Sequence, residues 1–170
     1  PYADRDPRFD LTILHDGSKV GSKNVTVNIY RDTKGTWPKT KIGKDKNFGA
    51  EWNADPLRGT TRTGYYLNKG WNGERGNTAY RHSDPLIRMA ELYLNYAEAV
   101  NEYAGPGGTA AGLPLTALQA VNKVRSRIGM PDVQSRFAGD SRLLRDRIRN
   151  ERMVELAFEG HHYYFDSRRW

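Results

Sequence analysis

Asp84-Pro85-Leu86-Ile87-Arg88-Met89-Ala90-Glu91-Leu92-Tyr93-Leu94-Asn95-Tyr96-Ala97-Glu98-Ala99 is the stretch from which the rest of the chain can be read. Ser83 and Asp84 supply side-chain oxygens for a helix N-terminus. Pro85 follows at the first helical position, where a missing N–H costs nothing. The spacing predicts a helix from Pro85 to about Tyr103. One apolar stripe runs through Leu86, Met89, Tyr93, Ala97 and Val100, and a second through Ile87, Ala90 and Leu94. A helix with two stripes is expected to be buried on more than one side.

Moving outward toward the C-terminus, Ala104 to Pro114 is rich in Gly and Pro and reads as a loop. Thr116 and Gln119 then stand at capping-box spacing, opening a second helix that Gly129 and Pro131 stop. Its apolar face is Leu118, Val121, Val124 or Arg125, and Ile128, so it is expected to pack antiparallel on the first helix as a helical hairpin. A third helix is predicted from Asp140 or Ser141 to Gly160. Its stripe of Leu144, Ile148, Glu151, Glu155 and Phe158 places two carboxylates in line with core residues. An unpaired buried carboxylate would cost several kcal/mol. The expected partners are Arg125 and Arg127 of the second helix, or Arg168 and Arg169 beyond Gly160, because a guanidinium fork can bond both carboxylate oxygens.

Toward the N-terminus the character changes near Asp84. Residues 1–84 hold most of the 17 glycines and Trp37, Trp52 and Trp71 of the four tryptophans, with few long periodic runs. Val25-Thr26-Val27-Asn28-Ile29-Tyr30 alternates with period two and reads as a half-buried strand, as does Leu11-Thr12-Ile13-Leu14 less regularly. Arg31 to Gly64 reads as long, decorated loop, a length that is uncommon unless the loop carries function. The division expected is therefore a loop-rich part with short strands over 1–84 and a helical part over 85–170, forming one continuous domain.

The totals exclude several classes. With 37% hydrophobic and 28% charged residues, the chain has no apolar run near the ~20 residues of a membrane span. It has no cysteine, hence neither disulfides nor thiolate metal sites. The net charge of +7 would suit nucleic acid if concentrated, but the basic excess is spread over both halves. The one local cluster, Lys39, Lys41, Lys44 and Lys46, reads as a solvated loop edge. His15, His82, His161 and His162 lack ligand spacing, so no metal site is expected. There is no Gly-rich phosphate loop and no serine elbow.

Three segments together resemble the SusD/RagB family of nutrient-binding outer-membrane proteins. The Asp84–Ala99 stretch resembles the family's P-L-I-R-x-A-E-x-Y-L-x-x-A-E-A helix. Val121-Asn122-Lys123-Val124-Arg125-Ser126-Arg127-Ile128-Gly129 is similar to its N-x-V-R-x-R-A-G helix. Ile148-Arg149-Asn150-Glu151-Arg152, with Glu155-Leu156-Ala157-Phe158-Glu159-Gly160-His161 and Phe165-Asp166-Ser167-Arg168-Arg169-Trp170, resembles its I-R-x-E-R-x-x-E-L-x-F-E-G run and the D-L-R-R-W that follows. Asp4-Arg5-Asp6-Pro7-Arg8-Phe9 and Gly64-Tyr65-Tyr66-Leu67-Asn68-Lys69 also look like family signatures. The chain departs at His161 and His162, where an Arg is usual, and at Ser167, where a Leu is common.

The resemblance implies a mainly α-helical fold built on tetratricopeptide-like helix pairs, the first two helices forming one such pair. It implies a longer protein of which this is the C-terminal part, anchored by a lipid at the outer-membrane cell surface, with the anchor outside this segment. It further implies a non-enzymatic protein without cofactor that captures oligosaccharides and delivers them to a SusC-like TonB-dependent transporter docked on its helical side.

Catalysis fits the residues poorly. Glycosidase carboxylates face each other across about 5 to 9.5 Å of cleft, whereas Glu151 and Glu155 stand one turn apart on one helix beside arginines. The loop aromatics are better candidates, since flat rings suit the apolar faces of sugars while neighbouring amides and guanidinium groups bond their hydroxyls. Candidate ligand contacts are Tyr30, Trp37, Trp52, Asn53, Arg58, Trp71 and Asn72. Trp37 and Trp52, in the long loop, lead this set, and each ring competes with the plainer role of filling a small core beneath the loops. Tyr65 and Tyr66 are expected to be structural. Two other readings stand beside oligosaccharide capture: peptide cargo on the same fold, and a helical-repeat scaffold that binds only protein. A nucleic-acid binder would show affinity that collapses with salt.

Overall fold

The computed structural model describes residues 2–20, 24–27, 63–70 and 85–170. The chain divides into two compact units, one of Phe9–Ser83 and one of Pro1–Arg8 with Asp84–Trp170.

Helix α1, Arg8–Thr12, starts where Asp6 Oδ1 accepts the Arg8 N–H at 3.0 Å. Asp6 and Pro7 are a cap acceptor followed by a residue that needs no N–H partner, which is why this segment coils. Leu11 and Thr12 therefore close a helix instead of opening a strand, correcting the extended reading of Leu11–Leu14. Only β1, Ile13–Leu14, is extended. A hairpin of β2, Lys19–Val20, and β3, Val25–Thr26, follows, and β1 pairs antiparallel with β4, Tyr66–Leu67. The Asn68 N–H donates to Thr12 O at 2.8 Å and extends the β1–β4 contact into a neck. Leu14, Val20, Val27 and the ring of Tyr66 form a small core under these strands. Residues 28–30 of the predicted Val25–Tyr30 strand, and most of the loop predicted from Arg31, lie outside the described residues.

The helical unit begins later than the sequence suggests. Helix α2 spans Met89–Ala104, and Arg88 precedes it in extended backbone with no side-chain cap. Pro85, Leu86 and Ile87 lie outside the helix, with Leu86 94% and Ile87 67% exposed, so the N-terminal ends of both predicted stripes are not core. Ser83 and Asp84, the predicted caps, lie outside the described residues. The physical reason for the late start is Arg88 itself, whose guanidinium is engaged by two carboxylates described below. Further along, Ala90, Leu94, Ala97 and Val100 are buried as predicted.

The predicted loop of 104–114 contains a small antiparallel hairpin, β5 at Thr109–Ala110 and β6 at Leu113–Thr116. It is held by a tertiary contact: the Tyr96 hydroxyl donates to Leu115 O at 2.6 Å and accepts the Ala110 N–H at 3.1 Å. Helix α3, Ala117–Ser126, opens with the predicted capping box, Thr116 Oγ1 accepting the Gln119 N–H and Gln119 Oε1 accepting the Thr116 N–H. Both Val124 and Arg125 are buried. A single turn, α4 at Ser135–Ala138, leads to α5, Ser141–Glu155, capped by Asp140.

The third predicted helix stops at Glu155 instead of Gly160. Phe158 and Gly160 both take positive φ, 62° and 49°, so the chain turns and starts a separate helix α6, His162–Arg169. Phe158 is 67% exposed and does not belong to the buried stripe. The remaining four members, Leu144, Ile148, Glu151 and Glu155, are all buried. The main core joins Ala97 and Val100 of α2, Ala117, Ala120 and Val121 of α3, Val133, and Leu144 and Ile148 of α5. Alanine at three of these positions lets the helices approach closely, and each larger side chain contributes roughly 1.5–3 kcal/mol by burial. The protein is thus mainly helical with a few short strands.

Candidate functional site

The sequence-predicted ligand contacts Tyr30, Trp37, Trp52, Asn53, Arg58, Trp71 and Asn72 all lie outside the described residues. Of the neighbouring aromatics, Tyr66 packs on the small core of the strand unit, while Tyr65 is exposed.

Within the helical unit the dominant polar feature is a buried lattice of arginines and carboxylates centred on α5. Glu151, 1% exposed, accepts Arg8 Nη1 at 2.6 Å on one oxygen and Arg125 Nη1 at 2.8 Å on the other. Glu155, 2% exposed, accepts Arg8 Nη1 at 3.0 Å on Oε2, and Arg88 Nη1 at 2.9 Å and Arg127 Nη2 at 2.8 Å on Oε1. Arg8 also grips Asp6 through Nε and Nη2, at 3.0 and 2.6 Å. Arg88 clasps both oxygens of Glu159 at 2.6 and 2.7 Å and donates to Glu155 O at 2.9 Å. Four guanidinium groups thus face four carboxylates, which offsets the desolvation that any one of them would suffer alone. Hydrogen bonds from Arg8 hold the Asp6 carboxyl below its usual range. For Arg88, burial opposes the charge, but the bonds to Glu159 and Glu155 outweigh it and raise its pKa.

Arg125 and Arg127 pair with Glu151 and Glu155 as the sequence suggests. Arg168 and Arg169 do not: Arg168 lies over the Tyr164 ring at 4.2 Å, and Arg169 binds Glu98 at 2.5 Å and Asp166 at 2.8 Å. A second cluster forms there, with Arg152 clasping Asp166 at 3.0 and 3.1 Å and Trp170 Nε1 donating to Glu98 at 3.2 Å. Burial pushes the Asp166 pKa up, yet the bonds from Arg152 and Arg169 prevail and hold it low. Sequence reasoning missed Arg8 and Arg88. Both were visible inside quoted motifs, Arg8 after Asp-Pro and Arg88 after Pro-Leu-Ile, but nothing local says that they meet α5.

Chemically, this lattice is a framework. Glu151 and Glu155 have their oxygens turned onto guanidinium groups inside the protein, an arrangement unlike two carboxylates opposed across an open cleft. Among the described residues no three His, Cys, Asp or Glu side chains are placed to hold a metal ion, and no helix is long and apolar enough to cross a membrane.

The model of the SusD family matches residues 1–170, the whole length of the chain. The chain belongs to the SusD family. A SusD-like protein of Formosa agariphila is 38% identical over 109 residues, which cover 62% of this chain and 19% of that protein. A solved SusD-like protein from Bacteroides fragilis is 32% identical and superposes with a TM-score of 0.67 over 99% of this chain and 28% of its own. A second from the same species, described as a SusD-like carbohydrate-binding protein, is 26% identical with a TM-score of 0.65 over 98% of this chain and 29% of its own. This SusD-family chain therefore spans less than a third of the relatives it matches.

Proposed function

We propose that this chain is part of a cell-surface binding protein that captures oligosaccharides and passes them unaltered to a SusC-like TonB-dependent transporter. Membership of the SusD family along all 170 residues carries the reading, joined by a solved relative described as carbohydrate-binding. The loop-rich residues 1–84 supply the ligand contacts, with Trp37 and Trp52 stacking on sugar rings, Tyr30 and Trp71 beside them, and Asn53, Arg58 and Asn72 bonding hydroxyls. Residues 85–170 form the ion-paired platform and the side that meets the transporter. The protein breaks no bond and needs no cofactor. A lipid anchor outside this segment holds it at the outer-membrane surface.

A glycan-array screen of the intact protein, with Trp37→Ala and Trp52→Ala beside it, tests this. Binding of at least one oligosaccharide by the parent, with loss of about tenfold or more in either variant, supports it, since a stacking ring contributes on the order of 1–2 kcal/mol. Binding to peptides but no glycan would replace the cargo. Undiminished glycan binding in both variants would remove the two tryptophans from the site.

A further inference from the structure

The chain leaves the helical unit at Arg8, enters the compact unit Phe9–Ser83, and is back in the helical unit from Asp84 onward. Arg8 is the last residue before that excursion, and Arg88 lies just after it. These two arginines converge on one side chain: Arg8 Nη1 on Glu155 Oε2 at 3.0 Å and Arg88 Nη1 on Glu155 Oε1 at 2.9 Å. Each is secured a second time on a neighbouring turn of the same segment, Arg8 on Glu151 and Arg88 on Glu159. Arg127 shares Glu155 Oε1 but belongs to neither stem, and its side chain is 55% exposed.

We propose that Glu155 is a positioning residue for ligand capture: it staples both ends of the segment that carries the candidate binding rings. The proposal rests on the capture reading for its functional consequence, but the staple itself rests on geometry alone. Fixing both ends of a long excursion removes chain freedom that would otherwise compete with order at its neck. A buried carboxylate suits the task, because its two oxygens diverge and can hold two guanidinium groups arriving from different directions. Glu151 does not do this, since it holds Arg8 and Arg125, only one of which is a stem. The late start of α2 follows from the same arrangement: Arg88 stays extended while its guanidinium reaches Glu155 and Glu159.

The test uses the full chain and hydrogen exchange at the Asn68 amide, which donates to Thr12 O at the neck, with the Val124 amide of α3 as the internal reference. Arg8→Gln and Arg88→Gln should each speed Asn68 exchange by about tenfold while Val124 is unmoved, because local opening at the neck is separable from global unfolding. Arg127→Gln removes a bond from the same carboxylate and should leave Asn68 within about twofold of the parent. Should the glutamine variants fold poorly, Arg8→Lys and Arg88→Lys keep the charge with one bond fewer and should show the same ordering at smaller size. An unchanged Asn68 rate in both stem variants, an equal effect from Arg127→Gln, or acceleration of Asn68 and Val124 together would each overturn the staple. Glycan affinity, measured in parallel, should fall in the stem variants and hold in Arg127→Gln. A parent protein that binds no glycan, with the exchange pattern intact, would defeat the capture reading and leave the staple standing.

Discussion

Arg8 Nη1 donates to Glu151 Oε1 at 2.6 Å across 143 residues of sequence, with both side chains almost wholly out of water. Such a pair adds little stability over a well-packed apolar substitute, yet removing one partner is severe because the other charge is left buried. Glu151→Gln should therefore cost about 3–5 kcal/mol, since it leaves the buried Arg125 guanidinium without its carboxylate and takes from Arg8 one of the three carboxylates it holds. Urea unfolding at neutral pH checks this through a lowered midpoint at unchanged slope; a shift below about 1 kcal/mol would mean that the interior is wetter than its burial indicates.

Acid should act through the same chemistry. Asp6 is held low by bonds from Arg8, and Asp166 is held low by Arg152 and Arg169 against the opposing effect of burial. A carboxyl whose folded pKa lies below its unfolded value of about 3.9 contributes stability that is complete above that value and disappears as pH falls through the folded pKa. The contribution should be intact at pH 6 and wane below about pH 4. Asp166→Asn removes it at the outset, so unfolding midpoints of parent and variant should converge as the pH is lowered from 6 to 3. Parallel curves over that range would show that Asp166 is not the titrating group.

What could be read in advance depended on how local the controlling interaction is. The Thr116–Gln119 box, the buried positions from Ala90 to Val100, and the Glu151–Glu155 stripe are set by spacing within a few turns, and they stand where the sequence puts them. The start of α2 is governed by Arg88 reaching residues 67 and 71 positions away, and β5–β6 by a hydroxyl on α2. No local rule sees those. α6 was hidden for a different reason: the helical pattern continues past Glu155, but Phe158 takes a backbone conformation that pattern reading assigns to glycine. For the candidate rings of Trp37, Trp52 and Trp71 the sequence offers composition and family likeness, and their roles stay with the proposed function.

The capping box offers a contained check on the helical pair. Thr116 Oγ1 accepts the Gln119 N–H at 3.1 Å, and the reciprocal bond is 2.9 Å. Thr116→Ala leaves a helix-end N–H without that acceptor and should cost about 1 kcal/mol. Thr116→Ser keeps the oxygen and should cost a few tenths at most by the same reasoning. Equal losses in the two would assign the effect to the methyl group, not to the cap.

Phe158 combines φ of 62° with a ring that is 67% exposed. A non-glycine residue in the left-handed region carries a penalty of roughly 1–2 kcal/mol, and an exposed ring recovers little of it by burial. Glycine removes that penalty while adding about 0.5–1 kcal/mol of unfolded-chain entropy. The difference is small but signed, so Phe158→Gly should stabilise the isolated chain by up to about 1 kcal/mol, raising the urea midpoint. Phe158→Ala keeps the Cβ and hence the strain, and should leave the midpoint nearly where it was. If Phe158→Gly instead lowers the midpoint, the ring makes contacts worth more than the strain, and the turn between α5 and α6 is held by the side chain as well as by the grip of Glu159 on Arg88.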